Sequence, residues 1–534
     1  MSVGAHLAIL PILLPLACGA LLLLVGGRRR GWEAGLALGG CLALLVLAVL
    51  LLVTVDGQAG SLAVTYRLGD WPAPFAIVLV ADRLAALMVL LTALLGLLNI
   101  AFSLSRWSRL GPYYSALSQF LLMGLNGAFL TGDLFNLFVF FEILLAASYG
   151  MLLHGPGERR VKAGLHYIVL NLAASLLFLI GVSAIFGVAG TLNMAVLAER
   201  IPEVTEGTRS LLHVGAAILG VAFLVKAAAW PLGFWLPRTY DAAVPPAAAM
   251  FAIMTKVGIY AVLRLGLLLF GDGAGTSAGF GREWVFVAGI VTLGVGVIGL
   301  LAARDVGRLA GYSLLVSVGT LLGVVAFGDA GALAGGIFYM VVSTLAAAAF
   351  FLLSGLIGPD GADDFEDPPL LEAYDPDDDG VFTEADESPV VIPAPIGILS
   401  AGFLICTLLI AGIPPLPGFL AKVAMLEPLI EGPLGPTPGA ATLMIVVIIG
   451  SSLFSLIALA RAGIQIWWAE SNRIPPTIRL GEVTPLAVLM AALLALTVLA
   501  EGPFAFARRT ADQLLAPDRY IASVLGGEER PCSG

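Results

Sequence analysis

Ala222-Phe-Leu-Val-Lys226-Ala-Ala-Ala-Trp230-Pro231-Leu-Gly-Phe-Trp235-Leu-Pro237 places a lysine and two prolines inside an apolar run covering about 211–239. A helix crosses the roughly 30 Å hydrocarbon core with about 20 residues, so this run is too long for one plain crossing. Proline removes a backbone donor and interrupts the i to i−4 ladder. Backbone opened in this way survives at membrane depth only inside protein or beside water. The stretch therefore reads as a broken membrane helix with a charge beside the break. A second long run, about 391–430, has the same character: Gly412-Ile-Pro414-Pro415-Leu-Pro417-Gly418 interrupts it and Lys422 follows. Two broken helices, one in each half, are the pattern of transporters with a central site. The plainer alternative is a pair of ordinary kinks.

Outward from these two, further apolar runs lie at about 7–26, 33–55, 81–104, 112–131, 134–153, 163–188, 246–270, 284–302, 308–327, 331–357, 441–468 and 484–502. The expected fold is an all-α polytopic membrane protein with about 14 transmembrane helices. Composition agrees. The 534 residues are 59% hydrophobic and 12% charged, against about 25% charged in a soluble domain. The mean hydropathy is +0.99. The net charge of −10 comes mostly from residues 360–387 and is local. Arg28 to Arg30, Arg106 with Arg109, Arg159 and Arg160 with Lys162, Arg238, Arg304 with Arg308, and Arg473 with Arg479 fall in alternate loops. The positive-inside rule puts those loops in the cytoplasm and both termini outside it. The first apolar run has its basic residues after it, which predicts a retained helix and not a cleaved signal.

Several classes are excluded. No basic stripe suggests nucleic acid. Cys18, Cys41, Cys406 and Cys532 form no CxxC pair, and His6, His154, His166 and His213 are dispersed, so neither a metal cluster nor a cofactor is expected.

Four charges lie deep in the apolar runs: Glu142, Lys226, Lys256 and Lys422. At about 1.5 Å per residue, Glu142 sits roughly 12 Å into its helix, Lys256 roughly 15 Å and Lys226 roughly 21 Å. A lysine near the middle of the bilayer costs at least about 2.5 kcal/mol. One such residue can be half of a structural ion pair. Four at similar depth form a row, and a row is the geometry of a proton relay. Lysine suits this, because burial favours the neutral amine and a nearby carboxylate the charged one. Weaker candidates surround them. His166 is one turn inside a span and reads equally as relay partner or capping donor. Asp82-Arg83 and Asp133 sit at span ends, where interfacial charge is ordinary. Arg304 and Arg308 read as a loop anchor, and Trp230 and Trp235 as packing. The acidic segment contains Asp375-Pro-Asp377-Asp-Asp379-Gly380-Val-Phe-Thr-Glu-Ala-Asp386. This matches an EF-hand loop in part, with Asp375, Asp377, Asp379 and Asp386 as ligands. Pro376 and the lack of flanking amphipathic helices favour a solvated acidic loop.

Three motifs carry a family resemblance. They are Gly132-Asp133-Leu-Phe-Asn136-Leu-Phe-Val-Phe-Phe-Glu142, Lys226-Ala-Ala-Ala-Trp230-Pro231-Leu-Gly-Phe-Trp-Leu-Pro237 and Gly412-Ile-Pro414-Pro415-Leu-Pro417-Gly418-Phe-Leu-Ala-Lys422. They resemble the proton-translocating subunits shared by respiratory complex I and the Mrp (multiple resistance and pH) antiporters. Arg308-Leu-Ala-Gly-Tyr312-Ser313 and Ser343-Thr344-Leu-Ala-Ala-Ala-Ala-Phe350 add to this and point to the D-type subunit of the potassium/proton form. The resemblance implies inverted five-helix repeats with the two broken helices in equivalent places. The implied parts are peripheral helices at 1–110, a first repeat at 111–270, a second at 283–470 with an acidic cytoplasmic insertion at 358–389, and a last span with a polar tail at 484–534. It also implies that Glu142 and Lys226 pair, that Lys256 is the central relay and that Lys422 is the exit lysine. Many relatives carry a histidine where this chain has Val342, and some a lysine where it has Ala347. The bridge between Lys256 and Lys422 would then use Tyr339, Ser343, Thr344 and water.

The expected function is a proton-translocating subunit of a multisubunit sodium or potassium/proton antiporter, not an enzyme. It would sit in a bacterial inner membrane with other membrane subunits as partners. The alternative is a proton-pumping membrane subunit of an NADH-quinone oxidoreductase or membrane-bound hydrogenase. A non-catalytic scaffold is the third class.

Overall fold

The computed structural model describes residues 6–25, 30–57, 63–73, 75, 77–357, 394–432, 435–467 and 478–526. The acidic insertion lies outside these, and with it the calcium-loop candidates Asp375, Asp377, Asp379 and Asp386.

The apolar runs become helices because a backbone in lipid must satisfy its own hydrogen bonds. The first seven are α1 (Leu10–Val25), α2 (Arg30–Asp56), α3 (Arg83–Ser103), α4 (Tyr114–Leu130), α5 (Leu134–Leu152), α6 (Glu158–Ala189) and the short α7 (Met194–Arg200). The first broken helix is α8 (Glu206–Lys226) followed by α9 (Leu236–Ala242). Then come α10 (Pro245–Phe270), α11 (Arg282–Ala302), α12 (Val306–Val325) and α13 (Ala330–Ile357). The second broken helix is α14 (Ala394–Ala411) with α15 (Pro417–Glu431), followed by α16 (Ala440–Trp467) and α17 (Leu480–Val498). Among the described residues, 12 helices are long and apolar enough to cross a membrane. The shorter α1 is apolar as well, and α4 occupies the run expected at about 112–131.

Enclosure is uneven. Helices α3, α10, α12 and α13 are buried over most of their length, while α8, α11, α14, α16 and α17 leave much of their surface outward. The centre of the molecule is thus α10 packed against α13, with α12 beside α13 and α3 beside α10. Close approach of helices in lipid depends on small residues. Gly258 of α10 meets the first break: a Cβ there would lie 2.4 Å from the Ala227 nitrogen.

Three features differ from the sequence reading. A two-stranded antiparallel hairpin, β1 (Val64–Arg67) with β2 (Val78–Ala81), fills part of the loop after α2 and pairs Val64 with Ala81. The tail after the last span is not merely polar. It forms two amphipathic helices, α18 (Glu501–Leu514) and α19 (Pro517–Leu525), and Phe504 packs edge-on against Phe338 of α13. The third difference is Asp82. It caps the α3 N-terminus by accepting from the Ala85 N–H at 2.9 Å, as a span-end residue should, yet it is 2% exposed. Arg264 of α10 grips both its oxygens, one at 2.7 Å and the other more closely. A charge at a span end stays interfacial only if no other element covers it. Here α18 and α19 cover it, with the Tyr520 ring 5.4 Å from the guanidinium.

Candidate functional site

Glu142 lies on α5, whose N-terminus is capped by Asp133 accepting from the Asn136 N–H at 2.9 Å. Its carboxylate accepts a short hydrogen bond from the Ser175 hydroxyl of α6. Lys226 is the last residue of α8, where the carbonyl end of a helix favours a cation. Its Nζ donates to the same Ser175 oxygen at 3.5 Å and lies 5.6 Å from the centre of the Phe141 ring. Glu142 and Lys226 are thus brought together around one serine, whose hydroxyl stands between carboxylate and ammonium. A cavity of about 20 Å³ adjoins Lys226, lined by Asn171, Tyr167, Trp235 and Tyr240 among others. That is room for about one water. The buried indole N–H of Trp235 has no protein partner.

The break itself is built from three local devices. Ala228 takes a left-handed conformation with φ 58°. Gly233 folds onto it so closely that a Cβ would lie 1.8 Å from the Ala228 oxygen. The Trp230 N–H, lost to the helix ladder, donates at 2.8 Å to the Thr292 hydroxyl of α11. The second break uses a similar contact, since a Cβ on Gly418 would lie 2.2 Å from the Leu409 oxygen.

Lys256 is fully buried. Its Nζ donates to Ser317 of α12 at 2.7 Å. The Tyr339 hydroxyl of α13 is near Ser317 and Thr320. Ser343 and Thr344 do not join this group; both donate to the Met340 carbonyl of their own helix, at 3.3 and 2.6 Å. Lys422 reaches back from α15 across the second break. It donates to the Ile410 and Ala411 carbonyls at 3.2 and 3.0 Å and to Ser452 of α16 at 2.8 Å. Carbonyls at the end of a helix have no intrahelical partner, and a broken helix presents them at membrane depth.

The four charges thus form three clusters, each closed by one serine from a neighbouring helix. Ser175, Ser317 and Ser452 were not singled out from the sequence. His166 is outside the row: it is exposed and its Nδ1 contacts the Lys162 carbonyl at 2.8 Å. Tyr167 points inward instead, with its hydroxyl 2.7 Å from that of Ser148 and its ring 5.3 Å from Trp235. Outside the spans, Asp241 holds Arg159 at 3.1 Å and Arg308 at 3.6 Å. Burial raises its carboxyl above the ordinary carboxylate range, against the pull of those two arginines. Arg308 is the loop anchor expected from sequence. Among the described residues no group of three or more His, Cys, Asp or Glu could hold a metal ion.

This chain is 49% identical to the D-type subunit of a probable K(+)/H(+) antiporter of Rhizobium meliloti over 530 residues, 97% of either chain. The chain belongs to the family of D-type subunits of cation/proton antiporters. It is also 33% identical to the corresponding Na(+)/H(+) antiporter component of Alkalihalophilus pseudofirmus, covering 97% of this chain and 99% of that one. A chain in the structure of the Mrp complex from Dietzia sp. DQ12-45-1b superposes with a TM-score of 0.82 at 26% identity, over 98% of this chain and 100% of that one. The membrane family described as NADH:quinone oxidoreductase/Mrp antiporter matches residues 131–376. Within this antiporter chain, that segment holds Glu142, Lys226, Lys256 and Tyr339, while Lys422 falls beyond it.

Proposed function

We propose that this chain is the proton-translocating subunit of a multisubunit sodium or potassium/proton antiporter, and that Glu142, Lys226, Lys256 and Lys422 carry the protons. The observation that carries this reading is the kind of partner each lysine has. A structural ion pair needs a carboxylate, because a buried charge without one is costly. Lys256 donates to Ser317, and Lys422 to two carbonyls and Ser452; all of these are neutral. A lysine with neutral partners in apolar surroundings is free to exist as the amine, and so to accept and pass a proton. Lys226 alone has an acid nearby, and Ser175 stands between them. Moving that carboxylate relative to the ammonium would change how firmly Lys226 holds its proton. Water in the adjoining cavity and between the clusters completes the path.

In the same reading, helices α4 to α10 and α11 to α16 are the two inverted repeats. Both termini face away from the cytoplasm of a bacterial cell, and the remaining subunits of the complex are the partners. The relatives named above favour an antiporter over a redox-driven pump, and both sodium and potassium forms occur among them. The test is cation-driven proton flux in everted vesicles holding the whole complex. Lys226→Ala, Lys256→Ala and Lys422→Ala should each abolish exchange with assembly intact. Unchanged exchange in an assembled Lys226→Ala complex would remove the relay, and the scaffold reading would take its place. Running the assay with sodium and with potassium identifies the cation.

A further inference from the structure

A groove of about 590 Å³ separates the two halves of the molecule on the outer surface of the bundle. It lies between α8 and α10 on one side and α11 on the other, and its size is that of ligand pockets, roughly 300–1,000 Å³. On α11 its wall runs from Arg282 and Trp284 at the rim to Val291; at its floor are Trp230, Pro231 and Leu232 of the first break. From Arg282 to Val291 is nine residues, about 14 Å of helix, or about half of the 30 Å hydrocarbon core. The groove is therefore one leaflet deep and stops where the leaflets meet. A partner's transmembrane helix would need a channel through both leaflets. One acyl chain needs only this.

The walls and rim agree with a lipid occupant. Gly220 of α8 and Gly266 of α10 both line the groove, and a Cβ at either would meet nothing within 4 Å. Val221, Val287 and Val291 are exposed along its open side, so it opens laterally into the hydrocarbon. Trp284 at the rim is 77% exposed, the placement of an interfacial anchor. Among the described residues Arg282 makes one hydrogen bond, to Asp272 at 3.4 Å, of the five N–H donors a guanidinium carries. Asp272 and Glu283 stand beside it, both exposed. One cation next to two anions complements a headgroup that carries a phosphate and an ammonium together.

We propose that this groove binds a zwitterionic phospholipid, with its phosphate on Arg282, its ammonium toward Asp272 and Glu283, and one acyl chain against the break that follows Lys226. The lipid would complete the apolar wall behind the Trp230–Thr292 hydrogen bond.

The test uses the full chain reconstituted in vesicles of phosphatidylethanolamine and phosphatidylglycerol, either lipid carrying brominated acyl chains. Trp230 emission is taken as the difference between wild type and Trp230→Phe. Brominated phosphatidylethanolamine should quench it, and Gly266→Phe, which fills the groove, should remove the quenching. Arg282→Gln should lower the phosphatidylethanolamine retained on purification by about tenfold, the loss expected for one charge-assisted hydrogen bond. Absence of quenching, or quenching untouched by Gly266→Phe, overturns the site. Quenching by brominated phosphatidylglycerol alone overturns the headgroup assignment. Quenching that vanishes in the assembled complex means a partner subunit fills the groove, and overturns the lipid occupant.

Discussion

Thr292→Val removes one hydroxyl and changes the shape of the side chain very little. The Thr292 oxygen accepts the Trp230 N–H at 2.8 Å and donates to the Ala288 carbonyl at 2.6 Å. Thr292 is fully buried. Valine can do neither. The Ala288 carbonyl loses little, because it sits inside a continuous helix, but the Trp230 N–H has left its own ladder at the break. A buried donor without an acceptor costs about 1–3 kcal/mol. If that cost falls on the broken conformation, its population drops by about 5- to 150-fold against alternatives that satisfy the donor. Because the break begins one residue after Lys226, the substitution should disturb the lysine without touching it. We expect exchange in everted vesicles to fall by about tenfold or more within that range, with the complex still assembled. Thr292→Ser, which restores the hydroxyl, should recover most of the activity. Wild-type exchange in Thr292→Val would refute the argument, and so would equal losses in the valine and serine variants, since those would report packing alone.

Three further outcomes are expected. Gly233→Ala should prevent the first break from forming, because its Cβ would lie 1.8 Å from the Ala228 oxygen. Gly294→Ala, with nothing within 4 Å, should be neutral; the yield of monodisperse protein after extraction separates the two. Arg264→Met should destabilise by about 3–5 kcal/mol, because it strands the buried Asp82 carboxylate. Adding Asp82→Asn should recover part of that loss, measured as heat-induced loss of the folded fraction in detergent. His154 lies in the loop after α5, with its Nε2 3.0 Å from the Trp107 carbonyl, and burial depresses its protonation below the usual histidine range. Stability from this group is present above the unfolded value near 6.5 and is lost as pH falls. The melting temperature should therefore drop below about pH 6.5, and His154→Gln should flatten the drop.

The spans and both breaks were legible because lipid imposes one rule on every backbone, and prolines 231, 237, 414, 415 and 417 violate it in plain view. The hairpin was not legible. Its strands are four residues each, too short for alternation to declare itself, and they gain order from the elements that flank them. The tail helices were hidden for another reason. Arg508, Arg509 and Asp512 make the segment look polar, whereas its apolar side, Phe504, Ala507, Ala511 and Leu514, recurs at helical spacing and faces the bundle. Asp82 was misplaced because its partner is 182 residues away.

The same distinction governs the site. A lysine in an apolar run is conspicuous because the cost of placing it there is paid only for a reason. A serine is not, because a membrane helix can absorb its hydroxyl on a carbonyl of the preceding turn. Thr344, Thr407 and Thr320 do that. Ser317 instead accepts from Lys256 across a helix interface, and nothing in its neighbours along the chain marks the difference.

Helix α10 holds both treatments of a buried cation eight residues apart. Arg264 is gripped by a carboxylate through two contacts and lies against two tyrosine rings. Lys256 has a serine hydroxyl. Arginine keeps its charge in any protein environment, so it must be paired. Lysine can give its proton away, and a carboxylate bound to it would oppose that. If burial alone were being accommodated, the same solution would serve both positions. The chain instead pairs the cation that cannot change its charge and leaves the one that can with a neutral partner. Lys422 repeats that choice with two carbonyls and Ser452, whereas at Lys226 the Ser175 hydroxyl stands between the cation and Glu142; an ion pair serving only packing would require neither arrangement.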